Sequence, residues 1–257
     1  MHPILFKIGP ITIYTYGVLI TAGFLLGLAL AVRQAKKEGI EQARIVDLGL
    51  YIIISAIIGS RLLYIITHYE YYIKKPLQIL KVWEGGLVLY GGLFLAIAVG
   101  LLYLKKAKLP AWKVADIIAP SIAIGLTIGR WGCFSAGCCY GRETDLPWGV
   151  VFTDPYSLAR LGVPLHPTQL YESLGSFLIF LVLVIKRRKK TFEGQLFLLF
   201  LLLYSILRFV IEFFRADEAR DILYNGISIA QGISIIIAVA SMVILINRKK
   251  QKQERMT

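Results

Sequence analysis

The sequence predicts an all-α polytopic membrane protein of about seven transmembrane helices. It places the N-terminus outside, the C-terminus in the cytoplasm and a small exposed lobe on the outer side. Three observations predict this. Of 257 residues, 57% are hydrophobic and only 18% are charged, and the mean hydropathy is +0.67, too apolar for a water-soluble domain. The apolar residues fall in runs of about 20, the length that crosses a hydrocarbon core of roughly 30 Å. The basic residues lie between these runs and alternate in density. Connections after spans one, three, five and seven hold 18 Lys and Arg, the N-terminal segment and the other connections hold 9, and Arg61 and Arg208 lie inside spans. The richer side is the cytoplasmic one. The net charge of +13 is thus explained by membrane anchoring, and a nucleic-acid interface is not expected.

Residues 1–12, with Pro3 and Pro10, read as an extended interfacial lead-in. Met1-His2-Pro3 is no basic leader and no small-residue cleavage site follows, so no cleavable signal is expected. The first span is about 13–32, closed by Arg33, Lys36 and Lys37, and the second is about 46–67, with Arg61 inside it. A polar, aromatic connection, 68–84, carries Tyr69, Tyr71, Tyr72 and Trp83, rings that suit a membrane interface. The third span, about 86–104, begins at Glu84-Gly85-Gly86 and meets a second pair, Gly91-Gly92, six residues on. The two pairs predict a broken or re-entrant start lined by a cavity. The fourth span, about 114–128, contains Pro120 and runs into Gly129-Arg-Trp-Gly-Cys-Phe-Ser-Ala-Gly-Cys-Cys-Tyr-Gly141. Its four glycines predict tight turns. Residues 130–168 are the longest polar segment, the expected lobe, with a turn and short strand at 144–152. Spans five, six and seven are about 170–185, 195–214 and 227–246, the last followed by Arg248, Lys249, Lys250, Lys252 and Arg255. No internal repeat is evident, so 1–257 reads as one integral membrane domain with the lobe inserted between spans four and five.

An arginine at membrane depth is costly to keep and marks a functional position. Arg130 ends the fourth apolar run. Span six carries Arg208, Glu212 and Arg215, whose spacings of four and three put them on one helical face. They form either a self-satisfied ion-pair ladder or, with two cations for one carboxylate, a site with charge left for an anion such as a lipid phosphate. His166-Pro167-Thr168-Gln169-Leu170-Tyr171-Glu172 opens span five. His166 is a helix-start residue or a base at the membrane surface. Glu172 needs a buried cation, with Arg130, Arg208 and Arg215 as candidates. Arg61 is an interhelical tether or a ligand-binding group, and Tyr14, Tyr16 and Tyr90 are interface rings or site residues. All three cysteines, Cys133, Cys138 and Cys139, lie in the glycine-rich stretch. They read as packed small hydrophobes, as a redox pair or nucleophile, or as a metal site, the last opposed by adjacent cysteines being poor ligand spacing.

Together these pieces resemble the bacterial prolipoprotein diacylglyceryl transferase family over nearly the whole chain. The resemblance rests on Tyr16-Gly17, Gly59-Ser60-Arg61, Glu84-Gly85-Gly86 with Gly91-Gly92, and Gly129-Arg130 with Gly132 and Phe134. The His166–Glu172 run and Arg208-Phe209 with Glu212-Phe213-Phe214-Arg215 complete it. It implies seven transmembrane helices in the bacterial cytoplasmic (inner) membrane. It implies transfer of a diacylglyceryl group from phosphatidylglycerol to the lipobox cysteine of a preprolipoprotein, releasing glycerol 1-phosphate, with no cofactor and no metal. By resemblance Arg130 and Arg208 match arginines that hold the lipid headgroup, and Glu172, Glu212 and Arg215 match supporting ion pairs. The family's polar signature positions here read Cys133, Ala136 and Cys138, and its histidine between the two Gly-Gly pairs is here Tyr90. Tyr90, His166 or an ionised cysteine are then the candidate bases. Two other readings are a related membrane transferase with Cys133 or Cys138 as nucleophile and a different acceptor, and a non-enzymatic lipid-binding protein.

Overall fold

A computed structural model describes residues 2–9, 11–81, 85–215, 222–224 and 227–254. Pro10, Trp83, Glu84 and Arg255, singled out above, lie outside the described residues. Among the described residues, seven helices are long and apolar enough to cross a membrane: α1 (Thr15–Lys37), α2 (Gln42–Thr67), α4 (Leu89–Lys106), α5 (Ala111–Ala136), α6 (Thr168–Arg187), α7 (Gln195–Glu212) and α8 (Ile229–Glu254). They match the seven apolar runs in order, with most ends extended by a turn or two into the basic flanks. Their outward side chains are apolar, as lipid contact requires: Ile185 is 71% exposed and Ile236 69%. Short elements fill the connections: a hairpin of β1 (Ile4–Ile8) and β2 (Ile11–Tyr14), helix α3 (Tyr69–Lys74), and two further strand pairs described below.

The chain divides into two compact units, 31–114 and the union of 1–30 with 115–257. In the first, α2 and α4 pack with their backbones nearly touching. A Cβ on Gly59 would meet the Gly91 carbonyl oxygen at 2.4 Å, and one on Gly91 would meet that of Gly59 at 2.3 Å. Small residues permit such close helix contacts where lipid offers no hydrophobic drive. This corrects the reading of the two Gly-Gly pairs. Only Gly85 and Gly86, at φ of +90° and +72°, interrupt the backbone, whereas Gly91 and Gly92 lie inside α4 as its contact surface for α2. Between the pairs an extended lead-in follows α2, and the Val88 N–H donates to the Ser60 carbonyl at 3.1 Å.

In the second unit, Ala119 and Ala123 of α5, Ile179 and Leu183 of α6, and Leu196 and Phe200 of α7 form one buried cluster. A carboxylate fixes the start of α7. Asp116, wholly buried on α5, accepts from the backbone N–H groups of Gly194, Leu196 and Phe197 at 2.8–3.0 Å. Lys190 Nζ lies 3.4 Å from the same carboxylate. The first N–H groups of a helix have no intrahelical partners and carry partial positive charge, so a carboxylate there caps and neutralises at once.

The glycine-rich stretch departs from expectation. It turns only after Ala136, because α5 runs on through Gly129, Arg130, Gly132 and Cys133. Gly129 and Gly132 are where α1 comes close: added Cβ atoms would meet Ile20 Cδ1 at 3.2 Å and Tyr16 Cδ2 and O at 3.3 Å. The lobe therefore begins at Gly137, whose φ is +78°. It holds β3 (Val150–Val151) paired antiparallel with β4 (Pro164–Leu165), over a small core of Phe152, Ala159 and Leu165. The expected turn before the strand is present, with Gly149 N–H donating to the Leu146 carbonyl at 2.8 Å. A further pair, β5 (Ile222–Tyr224) with β6 (Ile227–Ser228), precedes α8.

Candidate functional site

Three helices of the second unit meet at Glu172. It lies on the first turns of α6, 2% exposed, and its Oε1 accepts from Arg130 Nη2 of α5 at 2.5 Å and from the Tyr204 hydroxyl of α7 at 2.8 Å. The cation that this carboxylate needed is thus Arg130. Ser173, next on α6, donates to the Thr127 carbonyl of α5 at 2.8 Å and locks the same two helices one turn away. On α7, Tyr204, Arg208 and Glu212 recur every four residues and so share a face. Arg208 Nη1 lies 2.7 Å from Glu212 Oε2, both largely buried, but its N–H is not aimed at that oxygen, and neither atom has a hydrogen-bond partner among the described residues. Of the ladder expected from sequence, the Arg208–Glu212 step is present as charge pairing with unspent hydrogen-bonding capacity, whereas α7 ends at Glu212 and Arg215 lies beyond the helix, off that face. The close of α7 is tied to the lobe: Arg142 N–H donates to the Phe214 carbonyl at 2.8 Å, and Arg215 bridges to Gly141. Together Arg130, Arg208 and Arg215 against Glu172 and Glu212 leave one formal positive charge over.

Beside this charged face, the next face of α7, with Leu207 and Ile211, and Phe214 just beyond the helix line an apolar cleft of about 420 Å³ that also takes in Leu146, Trp148, His166 and Tyr171. Gly175 of α6 makes room for α7 here, since a Cβ would meet the Leu207 side chain at 2.4 Å. Trp148 Nε1 donates to the Tyr171 hydroxyl at 2.9 Å, and that hydroxyl lies 3.2 Å from His166 Nδ1. An indole N–H can only donate, so the tyrosine oxygen accepts from it and has its own proton to give to Nδ1. His166 is buried, edge-on to Phe214. Burial, and then the Arg142 charge, hold its imidazole below the ordinary value.

The three thiols gather at the α5 terminus, with their Sγ atoms within 4.8 Å of one another. None forms a disulfide. Their loop is held from several sides. Cys138 N–H donates to the Cys133 carbonyl at 3.1 Å, while Thr168 Oγ1 and Gln169 Nε2 of α6 donate at 2.7 Å to the carbonyls of Cys139 and Cys138. Cys139 has φ of +61°, an uncommon conformation for a residue with a Cβ. Adjacency in sequence had argued against convergence of the thiols. The last turn of α5 and the left-handed Cys139 overcome it by turning the side chains together. Hydrogen bonds from Cys133 and Cys138, and then Arg215 and Arg130, hold the Cys139 thiol below its ordinary value, while hydrogen bonding to its two neighbours pushes Cys138 up.

Arg61 and Tyr90 belong to the other unit. Arg61 is buried on α2, and its guanidinium donates to four main-chain carbonyls: Gln78 and Gly85 at 2.6 Å, Ile79 at 3.1 Å and Gly86 at 3.3 Å. It also lies over the rings of Tyr64 and Tyr72 and borders a cleft of about 340 Å³ with His68 and Tyr71. Arg61 thus ties α2 to the connection that precedes α4, not to another transmembrane helix as an interhelical tether would. Tyr90 is half-exposed on the first turn of α4. Tyr14 and Tyr16 are also exposed, and Tyr16 packs on Gly132, two residues from Arg130. Sequence reasoning did not single out Tyr204, Trp148 or Asp116. Only the four-residue spacing of Tyr204 from Arg208 offered a signal; the other two act across more than 20 residues of chain.

Comparison with known proteins gives one consistent result. A family profile described as "Prolipoprotein diacylglyceryl transferase" matches residues 3–247. The chain is similar to proteins named phosphatidylglycerol–prolipoprotein diacylglyceryl transferase. That of Finegoldia magna is 41% identical over 98% of this chain and 97% of its own. The Bacillus velezensis protein is 38% identical, covering 97% and 93%, and the Bacillus licheniformis protein 38%, covering 99% and 95%.

Proposed function

Because the chain belongs to the prolipoprotein diacylglyceryl transferase family, we propose that it transfers the diacylglyceryl group of phosphatidylglycerol to the lipobox cysteine thiol of preprolipoproteins and releases glycerol 1-phosphate. The observation that carries this reading is Glu172 Oε1 between Arg130 and Tyr204, one turn from the incompletely satisfied Arg208. A guanidinium held by a single carboxylate oxygen keeps donors for a phosphate, and a net positive charge in a low-dielectric site favours an anion. The acceptor thiolate forms a C–S bond to the glycerol carbon that bears the phosphate ester. The C–O bond breaks with its electron pair going to the phosphate, and Arg130 and Arg208 stabilise the charge growing on that oxygen. His166, kept neutral by burial, receives the thiol proton through the hydroxyl of Tyr171 or directly.

Tyr16 is assigned a positioning role beside Arg130, and Arg61 a structural role within its own unit, where it holds the segment before α4. The apolar cleft beside His166 suits the hydrophobic stretch preceding a lipobox. The charge alternation of the connections supports placing the N-terminus and the lobe outside a bacterial cytoplasmic membrane and the C-terminus inside. The test uses purified protein with phosphatidylglycerol and a lipobox peptide, reading the diacylglyceryl-peptide by mass spectrometry. Product lost in folded Arg130→Ala supports the reading; undiminished product in both Arg130→Ala and Arg208→Ala overturns the role given to these arginines, and no product from the unaltered chain overturns the reaction.

A further inference from the structure

The thiol cluster is not used by the proposed transfer, yet it brings three reactive side chains together in the second unit. We propose that Cys133, Cys138 and Cys139 form a three-thiolate site for one thiophilic metal ion of the Zn(II) class. With metal–sulfur bonds of about 2.3 Å, three sulfurs around one ion lie about 3.8–4.0 Å apart in tetrahedral or trigonal geometry. The three Sγ atoms already lie within 4.8 Å of one another, so closing on an ion needs shifts of about 1 Å or less. Soft thiolates select zinc, copper(I) and their heavier relatives over magnesium or calcium.

The scaffold around the cluster is rigid. Gly137 abuts Ser157, where a Cβ would lie 2.0 Å from Oγ, and Gly141 abuts the Phe214 carbonyl, 2.5 Å from a Cβ. Between these clamps Thr168 and Gln169 hold the carbonyls of Cys139 and Cys138. Gln169, which holds the Cys138 carbonyl, is 1% exposed, and its Oε1 has no hydrogen-bond partner among the described residues. Binding exchanges three S–H bonds for three metal–sulfur bonds and releases three protons to solvent, so affinity rises with pH.

The inference does not depend on the transfer reaction, and its test reads the metal alone. Full-length protein in detergent is reduced, freed of reductant under argon and titrated with Cd(II) and Zn(II). The expected result is one equivalent bound, with sulfur-to-cadmium charge-transfer absorption. The bound ion should slow reaction of the three thiols with a disulfide reagent at least about tenfold, and a chelator should reverse this. Each of Cys133→Ser, Cys138→Ser and Cys139→Ser should lower affinity beyond the roughly 10–100-fold typical of an outer-shell loss. Absence of charge-transfer absorption in the reduced chain overturns the site, as does equal binding by the triple serine variant. Two of the thiols being paired in protein purified without reductant, and staying paired in the presence of the ion, assigns the cluster to a disulfide instead. The thiol-protection measurement on the unaltered chain stands even where a variant fails to fold.

Discussion

Arg61 and Arg130 are the same side chain in similar apolar helices, and they are held in opposite ways. Arg61 spends its guanidinium on four main-chain carbonyls from the segment between α2 and α4. Carbonyls are neutral and immobile, so the interaction fixes the path of a backbone and leaves little for a ligand. Arg130 faces one oxygen of a carboxylate that Tyr204 also binds. An ionic partner on a side chain can be shared with an incoming phosphate, and the rest of the fork remains available. A charge at membrane depth thus marks importance without saying of which kind. The partners decide it, and they come from residues distant in sequence.

The contrast can be broken by paired substitutions. The largest effect is expected for Arg130→Ala: a loss of transfer of about 10³-fold, within the range for removing one preorganised donor. Because the change leaves Glu172 buried without its cation, Arg130→Ala/Glu172→Gln should regain thermal stability and not transfer, which separates chemistry from folding. Arg208→Ala should cost about 10²–10³-fold, measured as product per unit time at saturating lipid. His166→Gln comes next, about 10²-fold. The buried imidazole titrates below its ordinary value of 6.5, so protonation favours the unfolded chain. The stability this group contributes is whole above that value and declines as pH falls from there toward the lower folded value. The acid limb of the transfer rate should therefore lie below pH 6.5 in the unaltered protein and vanish in the variant; an unchanged profile would exclude His166 as the base.

Arg61→Ala should behave differently, lowering stability by about 3 kcal/mol or more as buried carbonyls lose their donor. Hydrogen exchange should quicken around 76–81 and 85–88, with a smaller fall in transfer than for Arg130→Ala. A larger fall in transfer than in stability would erase the distinction between the two arginines. The smallest effect is expected for Gly59→Ala, about 1–3 kcal/mol from forcing α2 and α4 apart, read by thermal unfolding in detergent.

Much of this molecule was legible in the chain. Runs of apolar residues marked all seven spans, because a helix that must satisfy its own backbone in lipid announces itself by length and hydropathy. Arg130, Arg208, Glu172 and Glu212 stood out because ionisable groups in or at the end of such runs are costly, and His166 because it opens the fifth span. Helix ends were less legible. The glycines at 129 and 132 looked like turn residues, yet they lie in a helix where another helix approaches. A glycine permits both a turn and a close contact, and local sequence does not distinguish them.

By itself, the sequence determined the fold class, the number of spans and the residue types that carry charge into the membrane, since hydropathy and the desolvation cost of charge are local properties of the chain. Only the tertiary structure decided which arginine meets which acceptor. It also placed Asp116 at the start of α7 from 78 residues away, joined Trp148 and Tyr171 to His166, and drew two adjacent cysteines and a third into one cluster. Those outcomes depend on distances between helices, and packing sets such distances only once all the helices are in place.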